Sequence, residues 1–402
     1  YLHEHTTLKK ENMLVTTAFM AMTNGGAFLF IDAIDPVGTL NSNVYNTMSR
    51  VFAHTQSYKK YVGGELVQDA AIYLSTESKC DFADNGKHIS QVAASTDSVH
   101  INCVMRTTRA FIKNHIPFGI ITRKKLDELD SYKVIILPNV LMMSEMEVEA
   151  FRNYVARGGR IYASKYTSLV NIEGDFKNDF MLAEVFGANY DGMTDENFTY
   201  IAPKGRGQAI MPSNVNEKYP LSIYGNQVRL KSECTAEVLG TLILPYTNPC
   251  IPRPFSSIHS NPPGIITGLP AITSNRYGKG RAMYCTGDLE NVEFHDEIFT
   301  SFIRDLLDDK LSIEGNIPRQ VEVTMFNQEG RRTILNFLSF QAEMPNLPIP
   351  EFTIRVTTEE DNVKRVLHLP DEREIPFVLV QGYVEFIVEG FDTFTMYAID
   401  FK

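Results

Sequence analysis

The hydrophobic period of the chain changes once, near Pro318, and that change limits the fold more than any other feature. Before it, apolar runs of strand length alternate with helical patterns. Ala70–Leu74, Phe118–Ile121, Val134–Pro138 and Arg160–Ser164 read as strands. A helix from Asp97 to Asn114 would carry Ile101, Val104, Met105, Thr108 and Ile112 on its inner face. Ser144-Glu145-Met146-Glu147 is a capping box that opens a helix running to Arg157, where Gly158-Gly159 closes it. Such alternation predicts a mostly parallel sheet with helices on both faces. Residues 171–263 read as a β-rich insertion, followed by a hairpin (Ala271–Arg276 and Arg281–Cys285) turned by Tyr277-Gly278-Lys279-Gly280, and by a helix from Glu293 to Leu307. After Pro318 the period becomes two, through Val321, Val323, Met325 and on to Phe394–Phe401, which predicts an antiparallel β-sandwich with Thr357–Lys364 as a solvated hairpin edge.

The first 62 residues hold too little to bury themselves. One helical pattern (Leu14, Ala18, Phe19, Met22) ends at Asn24-Gly25-Gly26, and Ala27–Ile31 follows as an apolar strand ending in Asp32-Ala33-Ile34-Asp35-Pro36. A second amphipathic helix, Ser42–Lys60 (Val44, Met48, Val51, Phe52), completes the segment. It reads as the last piece of an α/β barrel. The expected division is therefore 1–62, 63–315 and 316–402.

A chain of 402 residues has material for two to four domains. Its 38 Lys and Arg against 49 Asp and Glu give a net charge of −11, which repels polyphosphate, so no nucleic-acid partner is expected. The uncharged runs 12–31 and 254–275 are broken by Asn24-Gly25-Gly26 and Pro262-Pro263-Gly264, and no membrane span is expected. Five scattered cysteines (Cys80, Cys103, Cys234, Cys250, Cys285) contain no C-x-x-C pair and suit a reducing compartment, so a cytoplasmic location is favoured. Tyr1-Leu2-His3-Glu4-His5 has neither an initiator Met nor the basic and apolar regions of a signal peptide, and reads as a cut end with room for a signal peptide further upstream. The absence of Trp weakly disfavours a complete carbohydrate site within these residues.

Three local patterns in this order resemble the C-terminal portion of family 42 β-galactosidases and related glycoside hydrolases. They are Asn24-Gly25-Gly26 with Phe28–Gly38; Pro270–Arg281 with Tyr284-Cys285-Thr286-Gly287-Asp288-Leu289; and Leu335–Gln341 with Val366–Asp371 and Gly382–Phe386. The resemblance implies an α/β chain with a barrel remnant, a flavodoxin-like trimerisation-type domain akin to class I glutamine amidotransferases, and a small β-sandwich. It implies a homo-oligomer, a trimer in the first instance, and contact with carbohydrate through the parent barrel. The strands that would bear the catalytic carboxylates are not among these residues, so the catalytic residues stay unknown.

Retaining glycosidases place two carboxylates about 5–5.5 Å apart at barrel strand ends. Asp32 and Asp35 follow a strand end, and with His3 they are the candidate substrate contacts, although structural roles compete for both aspartates. His3-Glu4-His5 offers metal-ligand types without a third partner, and neither a metal nor a cofactor is expected. In the amidotransferase-like reading the nucleophile's turn is Ala163-Ser164-Lys165-Tyr166, which has no Cys, and His295-Asp296-Glu297 falls inside the closing helix. Gly278-Lys279-Gly280 is a hairpin turn because a strand follows it. Asp288 and Glu290 read first as helix caps, and Met142, Met143 and Met146 as core packing. The sequence is read as an accessory, oligomerising part of a glycoside hydrolase without the complete catalytic machinery. The competing reading is a stand-alone small-ligand or carbohydrate-binding module with a degenerate amidotransferase-like domain, a small ligand lying in a sheet crevice near Ser75, Pro138 and Ser164.

Overall fold

The computed structural model describes residues 8–32, 34, 36–79, 86–91, 98–257, 259–307, 310–358 and 362–402. The chain forms two compact units, one of residues 68–114 and 118–310, the other of residues 1–67, 115–117 and 311–402. It is mixed α/β, with a mostly parallel central sheet and separate antiparallel sheets.

The first unit is built on a nine-stranded sheet. In chain order its strands are β1 (Ala70–Tyr73), β2 (Phe118–Ile121), β3 (Val134–Leu137), β4 (Arg160–Ser164), β5 (Phe198–Pro203), β6 (Leu221–Tyr224), β7 (Glu237–Pro245), β8 (Pro263–Tyr277) and β9 (Gly280–Cys285). They lie side by side as β6-β5-β7-β8-β9-β4-β3-β1-β2. From β9 to β2 every pairing is parallel, with Ala70 opposite both Phe118 and Val134, Ile135 opposite Ile161 and Arg281 opposite Arg160. The chain starts at β1, steps outward to β2, then crosses back to β3, so the direction of winding reverses between β1 and β3. In open sheets of this kind ligands settle at that reversal, beyond the strands' C-terminal ends. β1 and β3 are buried at all four positions, as strands covered on both faces must be.

The expected helices form, with one rotation. Ser98 caps Val99–Lys113 by accepting from Ile101 N–H at 3.3 Å. The buried face is His100, Cys103, Val104, Thr107, Ala110 and Phe111, while Met105 is 45% exposed. Two faces of this helix carry residues at i, i+3 and i+4, and the apolar count picked the wrong one because the true inner face includes a histidine whose nitrogens are both hydrogen-bonded. The Ser144 capping box opens Glu145–Arg157, and Gly158 closes it at φ +128°. Glu147 of that box also accepts from the buried Tyr73 hydroxyl. Gly278-Lys279 turns β8 into β9, as the hairpin reading required. Met143 is buried, but Met146 lies exposed on the helix surface rather than in the core.

The second unit has two antiparallel sheets. The six-stranded one runs Glu65–Leu66, Val321–Gln328, Arg332–Ser339, Phe394–Phe401, Val363–Leu369, Arg373–Ile375. The four-stranded one runs Ile313–Gly315, Phe352–Thr357, Tyr383–Val388, Phe377–Val380. Phe337, Phe352, Ile354, Val366, Phe386, Tyr397 and Ile399 belong to one apolar core shared by both sheets. The helices Glu11–Thr23 and Ser42–Gln56 pack on the other side of the larger sheet through Val15, Phe19, Met22 and Val51 against Ile334, Leu338, Leu367 and Met396. Thr357–Lys364 is not a hairpin: Phe352–Thr357 and Val363–Leu369 belong to different sheets, so this stretch crosses between layers. Period-two patterning cannot tell a hairpin from a sheet-to-sheet crossing.

Ala27–Ile31 is also corrected: no strand forms there. The alternation survives, with Phe28 and Phe30 packed on Phe52 at ring separations of 5.1 and 5.3 Å and Leu29 and Ile31 81% and 80% exposed. A strand exists only through its neighbours' hydrogen bonds, and the described residues supply none here.

Candidate functional site at the strand ends

The nine-stranded sheet brings its polar residues together beyond the ends of β4 and β9. Lys165 follows β4 directly and sits at φ +47°, a left-handed conformation uncommon outside glycine. Its backbone is pinned from both sides: its N–H donates to Cys285 O at 2.8 Å, and its carbonyl accepts from the Tyr284 hydroxyl. This turn points the side chain inward, where Nζ meets Asp288 Oδ1 at 3.3 Å with both side chains nearly closed to solvent. Asp288 Oδ2 accepts from Asn291 Nδ2 at 2.9 Å, and Cys103 Sγ lies 4.0 Å away. Glu290 takes hydrogen bonds from Ser164 Oγ at 2.5 Å and Tyr162 OH at 2.9 Å. Ser164 Oγ in turn accepts from Asn139 N–H at 2.9 Å, and Asn139, itself at φ +49°, accepts from Tyr166 N–H through Oδ1.

Burial governs the protonation of these groups. It pushes the Glu290 carboxyl up to about 7, with the neighbouring Asp288 charge adding and the Ser164 hydrogen bond opposing. Burial works against the Lys165 ammonium, but the Asp288 carboxylate, with Tyr166 and Cys103 adding, outweighs it and raises the lysine. Burial, then Glu290 and Asp288, pushes the Cys103 thiol far up, so it is a neutral packing group and not a thiolate nucleophile.

Asp288 and Glu290, expected as helix caps, instead anchor this network, and the Asp288 side chain makes no capping hydrogen bond. Ser164 and Lys165 occupy the turn where an amidotransferase nucleophile would stand, but Ser164 is fully buried and committed on both sides. His295, expected inside the closing helix, ends the short turn Glu293–His295 just before the helix Asp296–Leu307, and its ring is spent on Ser222 O at 3.0 Å. The network can hold a proton and tie β4 to the segment after β9; it has no group open to a solute.

The crevice where the winding reverses is occupied. His100 Nδ1 lies 2.8 Å from Pro138 O, an acceptor, so Nδ1 carries the proton and Nε2 accepts from Ser75 N–H at 3.0 Å. The imidazole thus bridges the ends of β1 and β3 where the module reading placed a ligand. Sequence reasoning singled out Ser75, Pro138 and Ser164 but missed His100; a histidine two residues past the Ser98 cap was the available signal.

Of the three candidate substrate contacts, His3 and Asp35 lie outside the described residues. Asp32 is half-buried in the other unit, and its Oδ2 is closed to water with no hydrogen-bond partner among the described residues. Among the described residues no group of three His, Cys, Asp or Glu side chains is placed to hold a metal, and no helix is long and apolar enough to cross a membrane. Cys103, Cys234, Cys250 and Cys285 are free thiols.

Comparison with known proteins meets this geometry at the nine-stranded sheet. Residues 68–243 match the sequence profile of the β-galactosidase trimerisation domain. β-Galactosidase Pbg of Clostridium perfringens is 20% identical over 352 residues, 84% of this chain and 44% of that protein. β-Galactosidase BglY of Alicyclobacillus acidocaldarius is 22% identical over 295 residues, 72% of this chain and 37% of that protein. This chain therefore spans less than half the length of these relatives. Among solved structures, α-L-fucosidase isoenzyme 2 from Paenibacillus thiaminolyticus superposes with a TM-score of 0.82 at 20% identity, over 100% of this chain and 59% of that one. Gan42B, a β-galactosidase of glycoside hydrolase family 42 from G. stearothermophilus, gives 0.65 at 17% identity, over 98% and 51%. Residues 68–243 are thus similar to the β-galactosidase trimerisation domain, and the chain has the fold of the corresponding part of these glycoside hydrolases.

Proposed function

We propose that this chain is the assembling part of a glycoside hydrolase, in which the nine-stranded, flavodoxin-like domain joins subunits into a trimer and residues 1–62 are the C-terminal remnant of an α/β barrel. The observation that carries this reading is the match of residues 68–243 to a trimerisation domain. The closed strand-end network supports it: a scaffold needs a rigid sheet, and the groups that would attack or bind a solute here are spent on each other. The exposed Leu29 and Ile31, alternating with inward Phe28 and Phe30, suit a barrel strand that expects neighbours. The β-sandwich of residues 316–402 closes the chain. A cyclic trimer brings one subunit's sheet domain against the next and so completes a pocket as well as stabilising it.

The parent reaction in this reading is hydrolysis of a glycosidic bond through an oxocarbenium-like transition state, with Asp32, Asp35 and His3 contacting sugar at most and the acid and nucleophile contributed from outside these residues. Sedimentation equilibrium tests the assembly: three chain masses at micromolar concentration are expected, and a monomer at every concentration overturns it. A panel of chromogenic galactosides and fucosides tests the division of labour, with no turnover expected from the 402-residue chain. Turnover that Asp32→Asn abolishes overturns it.

A further inference from the structure

Residues 254–275 contain no Asp, Glu, Lys or Arg, in a chain where such residues make up 22%. A gap of this kind is ordinary in a core, but much of this one lies at the surface. Over 254–268 every described residue is exposed except the half-buried Asn261 and Thr267. The first half of β8 runs through the stretch and pairs on one side with β7, Ile243 opposite Ile266 and Leu244 opposite Ile265. On its other side β9 reaches only as far as Ile272, so Pro263–Leu269 has no strand along its outer edge among the described residues. Successive side chains of a strand leave opposite faces, yet Ile265 is 54% and Ile266 60% exposed. This end of the hairpin is therefore open on both faces and along one edge. Tyr246, just past β7, and Ile251 and Phe255 in the connecting loop extend the exposed apolar surface.

Solvent-facing strand edges are normally guarded by charged side chains, and this one has none. Apolar area depleted of charge is instead the make-up of the centre of a protein interface. A partner of strong charge, whether a polyanion or a basic peptide, would find no counter-charge here. A second copy of this chain is a different case. Each copy carries a net charge of −11, so two copies repel except where the meeting surface is neutral, and the uncharged hairpin lets them approach at the least electrostatic cost. We infer that the far end of the β7–β8 hairpin, through Ile265 and Ile266 with Tyr246, Ile251 and Phe255, is the surface by which the sheet domain binds a second copy of this chain. This contact rests on the assembly proposed above and locates it. In a cyclic trimer each contact is heterologous, so the hairpin of one subunit seats on a different surface of the next.

Sedimentation equilibrium on the full chain, beside the double variant Ile265→Glu with Ile266→Glu, tests it. The two substitutions are expected to raise the concentration at which the assembly dissociates by about a hundredfold. Neither side chain is buried, so the far-UV circular dichroism of the dissociated variant should match the parent's and separate lost contact from lost fold. Met146→Glu, which places the same charge at another exposed apolar position of the sheet domain, is expected to leave assembly as in the parent. A double variant that assembles as tightly as the parent overturns the hairpin contact and leaves the assembly proposal standing. So does a loss from Met146→Glu as large as that from the double variant, because added charge and not the hairpin would then be responsible. A parent that stays monomeric at every concentration overturns both.

Discussion

The strand-end network of the nine-stranded sheet and the stretch from Ala27 to Leu40 invert each other. In the first, a lysine, two carboxylates and a thiol are buried and bonded among themselves. In the second, Leu29, Ile31, Ile34, Val37 and Leu40 are all exposed. An enzyme site does the opposite, opening its polar groups to a solute and enclosing its apolar ones. The difference teaches that polarity alone does not locate function here: the charged cluster is framework, and on the proposed reading the greasy stretch is the surface that acts, by meeting other polypeptide.

The sharpest way to break this comparison is Lys165→Met, which strands Asp288 in a closed environment. Loss of one partner from a buried pair costs about 3–5 kcal/mol, and Lys165→Met with Asp288→Leu recovers much of it. Denaturant unfolding that finds the single substitution near neutral would show the network to be open to water. Next in size is pH. Glu290 keeps its proton up to about pH 7 in the folded chain against a usual 4.5, so the folded form binds more protons between those values. Stability is then greatest below pH 4.5 and declines as pH rises through 7, by on the order of 2–3 kcal/mol from this group. Cys103, Tyr162 and Cys285 face it, and burial holds all three neutral throughout that window. Glu290→Gln should flatten the slope of melting temperature against pH between 5 and 8; an unchanged slope would assign it elsewhere. Smallest is Leu29→Lys with Ile31→Glu, expected within about 0.5 kcal/mol of the parent because neither side chain is buried. A larger loss would mean the stretch already packs within this chain.

Much of the architecture was legible because local rules and tertiary packing agree. The Ser144–Glu147 box, the Gly158 stop and the Gly278-Lys279 turn are short-range devices whose partners lie within a few residues, and each forms where the pattern put it. What escaped the sequence depends on partners far along the chain. His100 joins residues 25 and 38 positions away, and Lys165 finds Asp288 across 123. Residue type named Ser164, Lys165, Asp288 and Glu290 as worth attention, but only the parallel pairing of β9 with β4 makes them neighbours. The Ala27–Ile31 strand failed for a related reason: composition specifies a strand's willingness to pair, not the presence of a mate.

His100 carries a last consequence. Imidazole is the usual sensor of mild acidity, yet this one is lowered to about 4, chiefly by its enclosure, so it stays uncharged from neutrality down through endosome-like acidity. Its contribution to stability is in full force above its ordinary value of 6.5 and drains away between there and 4, because the unfolded chain takes up the proton that the folded chain refuses. The wedge between the two central strands therefore keeps its shape and charge in mild acid while the sheet it braces grows easier to unfold, and an assembly resting on that sheet inherits the same sensitivity.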